Sequence, residues 1–250
     1  MPTQTDLTGR TALVTGATAG IGRAVALQLA ARGATVLVHG RDPRRAAAVV
    51  DEITGQGGTA RFVAADLSVA DEVLKLAEAA GDVDILVNNA GIYVFTSTPD
   101  TSPESFDRHF AINTRAPYLL VGALAPGMVE RGRGSIVSVT STAATSPAPV
   151  GTAYGASKAA VELLTRSWAT EFGPRGVRVN GVSPGPVRTH GTEAMLGEHI
   201  GMLGQGNLRG RAADPDEVAD VVLFLVGDES SYVNGTVIVA SGGELSLLPG

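Results

Sequence analysis

Cysteine is absent from the 250 residues, which excludes disulfides and any cysteine-ligated metal. The four histidines, His39, His109, His190 and His199, show no metal-ligand spacing and no carboxylate cluster joins them, so they read as structural or surface residues. His190, which begins a long irregular segment, is also placed to face a substrate. Positive charge is scarce: 19 Lys+Arg against 25 Asp+Glu give a formal net charge of −6. Without a long basic run, neither nucleic acid nor an anionic membrane is expected as a partner. No apolar run approaches the roughly 18 residues of a membrane span. The first dozen residues are polar, so no signal peptide is expected and a cytoplasmic location follows. No repeat or low-complexity tract divides the chain, which reads as one domain over 1–250, long enough to bury a full core.

What the chain does have is glycine, 32 residues, gathered where strands give way to helices. Residues 10–15 read as an apolar strand, Gly16-Ala-Thr-Ala-Gly-Ile-Gly22 as a turn, and residues 23–32 as a helix. That order makes a dinucleotide cradle: glycines let backbone approach the pyrophosphate, while unpaired N–H groups and the helix dipole hold its charge. The spacing is G-x-x-x-G-x-G, not the commoner G-x-G-x-x-G. The second strand, 33–39, ends at Gly40-Arg41-Asp42, where such folds meet the adenosine ribose. An acid there suits NAD, and an arginine accommodates the 2′-phosphate of NADP. Arg41 therefore favours NADP(H) over NAD(H), with Asp42 close by as the opposing signal. Arg44 and Arg45 either extend a positive patch or lie solvated on the next helix.

Further strands are expected at 59–64, 83–87, 134–140, 177–183 and 235–240. Helices are expected at 43–56, 69–80, from 103 past Pro117 towards 131, from Tyr154 to 172, and at 214–226. The alternation predicts an α/β protein: a single Rossmann-type, doubly wound parallel sheet of about seven strands with helices on both faces. Residues 186–213, rich in glycine with scattered apolar residues, read as a long loop of the kind that carries function.

Tyr154 and Lys158 lie four apart at the start of an alanine-rich helix, so both project from one face about one turn apart. A free tyrosine has a pKa near 10; a fixed cation beside it favours the phenolate and makes Tyr154 a candidate general acid or base. Lys158 is one of only two lysines in the chain, and Ser141 closes the preceding strand, where its hydroxyl can stand beside the phenol.

Thr15-Gly16 to Gly22, Asn88-Asn89-Ala90-Gly91, Ser141, Tyr154 with Lys158, and Pro184-Gly185 occur in order over nearly the whole chain. The set resembles the short-chain dehydrogenase/reductase family, within it most closely the 3-oxoacyl-carrier-protein and general carbonyl reductases. The resemblance implies a catalytic set of Asn113, Ser141, Tyr154 and Lys158. It implies cofactor contacts from Gly16, Thr18, Ala19, Gly20, Ile21, Gly22, Arg41, Asp66, Leu67, Asn89, Ala90, Gly91, Tyr154, Lys158, Pro184, Gly185, Val187 and Thr189. Asp66 would bond the adenine amino group, or else serve as an acid at a helix start. Asn113 would hold a water linked to Lys158, or else stabilise a kink around Pro117. Ala19 departs from the pattern, since many NADP-preferring relatives carry a base there. Ala240-Ser241-Gly242-Gly243 replaces the frequent Val-Asp-Gly-Gly ending.

The implied reaction is NADPH-dependent reduction of a ketone or 3-oxoacyl thioester, with a small-molecule carbonyl or alcohol as the partner and residues 186–213 as a substrate lid. The alternatives are a non-catalytic NADP-binding or sensing protein, and a non-redox enzyme on the same fold. Small residues Gly155, Ala156, Ala159 and Ala160 suit either a dimerising face or a core-facing stripe, and the resemblance implies a homo-dimer or homo-tetramer.

Overall fold

Strands apolar on both faces belong to parallel sheets covered by helices on either side, and that is how the apolar runs of this chain are used. The computed structural model describes residues 5–146 and 151–243, with the backbone alone at 200 and 201; the two ends of the expected 1–250 domain lie outside the described residues. Seven strands, β1 (Thr11–Val14), β2 (Thr35–Gly40), β3 (Thr59–Ala64), β4 (Ile85–Asn88), β5 (Gly134–Val139), β6 (Val177–Pro184) and β7 (Val237–Ala240), form one sheet in the order β3-β2-β1-β4-β5-β6-β7. Every pairing is parallel. The order reverses between β1 and β4, which opens a crevice beyond their carboxyl ends.

The helices are α1 (Gly20–Ala31), α2 (Pro43–Gly55), α3 (Ala70–Ala80), α4 (Pro103–Phe110), α5 (Ala116–Glu130), α6 (Thr152–Phe172), α7 (His190–Leu196) and α8 (Pro215–Val226). Strand side chains alternate between two cores. Val14, Val38 and Val87 pack under α1, α2 and α8 with Val25, Leu29, Val49 and Val222. Leu13, Leu37, Leu86 and Ile136 face α3, α5 and α6 with Leu76, Leu120, Met128 and Trp168. Each such aliphatic side chain contributes about 1.5–3 kcal/mol on burial.

Helix starts follow their capping chemistry. Asp42 accepts from the N–H groups of Arg44 (2.9 Å) and Arg45 (3.3 Å) ahead of Pro43, and Asp214 with Glu217 forms a capping box around Pro215. The start of α1 differs: Ala19 gives it no side-chain cap, so first-turn N–H groups remain available to a ligand.

Two expectations need correction. The helix expected to run unbroken from 103 towards 131 is interrupted by a π-helical turn, Ala111–Arg115, which carries one extra residue per turn. The extra residue lets Thr114 bond the Ser157 carbonyl at 3.0 Å while Asn113 points inward. Residues 186–213, expected as a loop, contain α7 and a 3-10 segment, Gly197–Met202. Thr189 and Thr192 cap α7 reciprocally, and the ends of the segment are tied together where Val187 bridges Ala213.

Candidate active site

The glycine turn after β1 and the turn after β4 are sewn together by side chains. The Thr15 hydroxyl accepts from the backbone N–H of Asn89 (2.9 Å) and Ala90 (3.0 Å), and Asn89 Nδ2 donates to the Thr15 (2.9 Å) and Gly16 (3.3 Å) carbonyls. The approach is so close that side chains are excluded. A Cβ on Gly16, whose φ is +64°, would lie 2.9 Å from Ala90 Cα, and one on Gly22 would lie 2.3 Å from both Asn89 Nδ2 and the Gly16 oxygen. An uncapped helix N-terminus behind a turn whose glycines bring its backbone close fits the pyrophosphate of a dinucleotide.

His39 completes this cradle, a function its position in the sequence did not disclose. Nδ1 accepts from the Gly16 N–H at 3.1 Å, so Nε2 carries the proton and donates to the Ala65 carbonyl at 3.2 Å. Burial pushes the pKa of His39 down; the Ala65 bond opposes this, Arg41 reinforces it and Asp66 opposes it. The one signal available was a polar ring closing an apolar strand, where burial demands partners.

Beyond β2 the cleft reaches Gly40, Arg41 and Asp66. A Cβ on Gly40 would stand 2.5 Å from the Thr18 methyl. Arg41 is exposed on the wall. Asp66 accepts from the Ser68 N–H (2.9 Å) and hydroxyl (2.8 Å), and those bonds hold its pKa below the usual carboxylate range. Asp42 is turned away into its capping role on α2 and pairs with Arg45 at 3.5 Å.

At the other end α6 brings Tyr154 and Lys158 to the carboxyl ends of β4 and β5. Lys158 is buried, its Nζ donates to the Val139 carbonyl at 2.8 Å, and burial lowers its pKa to about 8. Nζ also lies 3.3 Å from where a Cβ on Gly91 would stand, so the turn after β4 closes directly over the ammonium. The expected lowering of the Tyr154 pKa by this cation is not what the structure gives. Burial raises it, a hydrogen bond with Ser141 pulls it partly back, and Tyr93 raises it. Ser141 itself caps a short 3-10 turn through the Ala143 N–H at 3.2 Å, and that turn docks on α6 at Gly155, where a Cβ would lie 2.6 Å from the Ala143 oxygen. Gly155 is thus a packing residue for Ser141.

Asn113, in the π turn, accepts from the Ile92 N–H (2.9 Å) and donates to the Ile92 carbonyl (3.0 Å) and Ser157 Oγ (2.9 Å). His109 accepts from the Val94 N–H at 3.1 Å while Nδ1 donates to Ser105 at 2.7 Å. Both therefore position the segment after Gly91.

These groups share one cavity of about 620 Å³. Every residue singled out for cofactor contact lines it except Gly22, which stands behind the glycine turn; Ser141, Tyr154 and Lys158 line it, and Asn113 stands one layer back. Tyr93, Phe95, Met195 and Leu203 line it too, though nothing in their spacing marked them. Among the described residues, no group of three His, Cys, Asp or Glu is placed to hold a metal, and no helix is long and apolar enough to cross a membrane.

Comparison with known proteins agrees with this geometry. A family model described as enoyl-(acyl carrier protein) reductase matches residues 16–244. A cyclopentanol dehydrogenase of Comamonas testosteroni is 39% identical over 92% of this chain and 95% of its own. A solved short chain dehydrogenase/reductase family protein superposes with a TM-score of 0.90 at 50% identity, covering 95% of this chain and 98% of its own. A 3-oxoacyl (acyl-carrier-protein) reductase from Agrobacterium tumefaciens, solved with NADP bound, gives a TM-score of 0.90 at 37% identity over 95% of each chain. Glycine cradle, buried lysine and partnered tyrosine thus lie in a chain that is similar over nearly its full length to these oxidoreductases, and it belongs to the short-chain dehydrogenase/reductase family.

Proposed function

We propose that the protein is an NADP(H)-dependent oxidoreductase that reduces a ketone or 3-oxoacyl thioester to the alcohol, with Tyr154 as the proton donor. The observation that carries this reading is the junction, in one cavity, of the closely packed glycine turn with Ser141, Tyr154 and Lys158. NADP(H) is favoured over NAD(H) because Arg41 faces the cleft while Asp42 is committed to capping α2. The Agrobacterium relative solved with NADP supports the same choice.

When bound, the nicotinamide supplies the hydride. Gly16, Ala19, Gly20 and Ile21 would hold the pyrophosphate on the start of α1, Asp66 and Leu67 would border the adenine, and Ala90, Gly91, Val187 and Thr189 would enclose the remainder. Ser141 orients the substrate carbonyl by a hydrogen bond. Tyr154, kept protonated at neutral pH by burial, gives its proton to the carbonyl oxygen as charge develops there. Lys158 would bind the ribose hydroxyls and stabilise the resulting phenolate. Asn113 supports proton resupply: Pro117 has no N–H to bond the carbonyl four residues before it, so the backbone carbonyl oxygen of Asn113 lacks that helical bond and is suited to a water leading to Lys158. Residues 186–213 act as the lid, hinged where Val187 meets Ala213. Exposed Phe106, Tyr118 and Leu163 on α4, α5 and α6 suit the face of a homo-dimer or homo-tetramer, which light scattering reads directly.

The test is NADPH and NADH oxidation side by side on a panel of ketones, diketones, aldehydes and acetoacetyl thioesters. Tyr154→Phe is expected to abolish turnover while leaving NADPH affinity within a few-fold. Wild-type turnover in that variant would refute the assignment, and cofactor binding without turnover across the panel would favour a sensing role.

A further inference from the structure

The segment after Gly91 is pinned at alternate residues. Ile92 is held by Asn113 (2.9 Å), Val94 by His109 (3.1 Å), and the Thr96 carbonyl accepts from the Gly151 N–H at 3.0 Å. Between these anchors, the side chains of Tyr93 and Phe95 both enter the cavity. Their ring centroids lie 6.3 and 5.9 Å from that of Tyr154, at interplanar angles of 71° and 73°, and 6.2 Å from each other. The two rings, tilted 41° to each other, thus form two facets of an apolar wall, each steeply inclined to the phenol.

Two glycines make room for that wall. A Cβ on Gly151 would lie 2.5 Å from Phe95 Cδ1, and one on Gly191, at the start of α7, would lie 2.0 Å from the Tyr93 hydroxyl. The backbone at Gly191 does not itself require glycine, since its φ is not among the positive values. Space for Tyr93 is what a larger residue there would remove. Charge is distributed unevenly along the same cavity. The charged side chains among the described lining are Arg41, Asp66 and Lys158, all in the part assigned above to the cofactor, where the neutral His39 also lies. The rest of the described lining carries no charge, Ile92, Ala143, Ser146, Thr192, Met195 and Leu203 among it.

We propose that Tyr93 and Phe95 are specificity-determining residues that select a flat, uncharged cyclic ketone, alicyclic or fused to an aromatic ring, over open-chain acyl thioesters and acidic sugars. This deepens the reductase reading above and rests on it. A planar ketone laid on one facet carries its carbonyl lone pairs in its own plane, and that plane is steeply inclined to the Tyr154 ring. Stacking rewards a flat ring and gives little to a flexible chain, which also loses rotamer freedom on binding. A carboxylate would enter an apolar compartment with no cation to meet it.

The test compares 2-tetralone with 2-decanone, an open-chain ketone of equal carbon count, alongside acetoacetyl-N-acetylcysteamine and 5-ketogluconate, all with NADPH. The expected kcat/KM for 2-tetralone exceeds the others by about ten-fold or more. Tyr93→Leu, Phe95→Leu and Gly191→Ala each raise KM for 2-tetralone by roughly ten-fold with kcat within a few-fold, and leave 2-decanone within about two-fold. Preference for the thioester, the sugar acid or the open-chain ketone overturns the proposal, as do variants that weaken every substrate alike. If no compound is reduced, the reductase reading fails separately. The wall is then read by calorimetry of 2-tetralol binding to NADP+-loaded protein: saturable binding weakened in Tyr93→Leu supports it, and its absence in the wild type overturns it.

Discussion

Replacing His39 by leucine removes a ring that accepts from Gly16 and donates to Ala65 in the same protonation state. Leucine fills the volume and leaves one N–H and one carbonyl without partners, each costing about 1–3 kcal/mol when buried, so the expected destabilisation at about pH 8 is roughly 2–6 kcal/mol. The pH dependence has a definite sign. Burial lowers the folded-state pKa of His39 below its unfolded value, with Arg41 acting in the same direction and the Ala65 bond and Asp66 against it. Between the two values the unfolded chain holds a proton that the folded ring refuses, so stability rises with pH and is complete above about 6.5. As pH falls below about 6.5, His39 alone removes up to about 1.4 kcal/mol per pH unit until the folded pKa is reached. Urea unfolding of the wild type and His39→Leu between about pH 5 and pH 8 isolates this contribution: the difference between the two proteins shrinks as the solution is acidified. Because Gly16 belongs to the glycine cradle, the variant is also expected to bind NADPH roughly ten-fold more weakly. A stability difference that stays constant with pH, or one near zero at about pH 8, would refute the reasoning.

Two further outcomes follow from the same geometry. In the free enzyme Lys158 titrates at about 8, so kcat/KM for reduction is expected to hold below that value and fall above it as the ammonium is lost; a profile flat through that range refutes the role given to its charge. Arg41→Ala is expected to raise the KM for NADPH more than about ten-fold and leave NADH little changed, whereas Gly40→Asp alone is expected to weaken both cofactors, because its Cβ meets the Thr18 methyl at 2.5 Å; NADH preference should appear when Thr18→Gly is added, and a switch from Gly40→Asp alone would show that Thr18 yields.

The seven strands and their order of appearance were legible because burial on both faces writes continuous apolar runs, and glycine turns punctuate them. The cradle and the pair Tyr154 and Lys158 were legible because each lies within a few residues of its partner, where helix periodicity fixes geometry. What escaped is what distant partners decide. The π turn exists because Asn113 and Thr114 engage Ile92 and Ser157, contacts invisible to a local pattern. Helix α7 spans only seven residues, too short for periodicity to separate it from a loop. The pKa of Tyr154 was misjudged for a related reason: spacing revealed a neighbouring lysine but not the burial that raises the phenol.

His39, His109 and Asn113 share one chemical property that explains why these residue types stand where they do. Each is bound to a backbone N–H through an acceptor and to a carbonyl through a donor. An ionised carboxylate only accepts, and an ammonium only donates. Either would leave one buried backbone group unpaired and bring a charge that the interior penalises. A neutral imidazole or carboxamide serves both groups at once and adds no net charge to a cleft in which Lys158 is already driven towards neutrality by burial. The same choice brings no added charge near Tyr154, so the electrostatics of the proposed proton transfer are left to its burial, Ser141, Tyr93 and whatever binds, while the surrounding turns stay fixed.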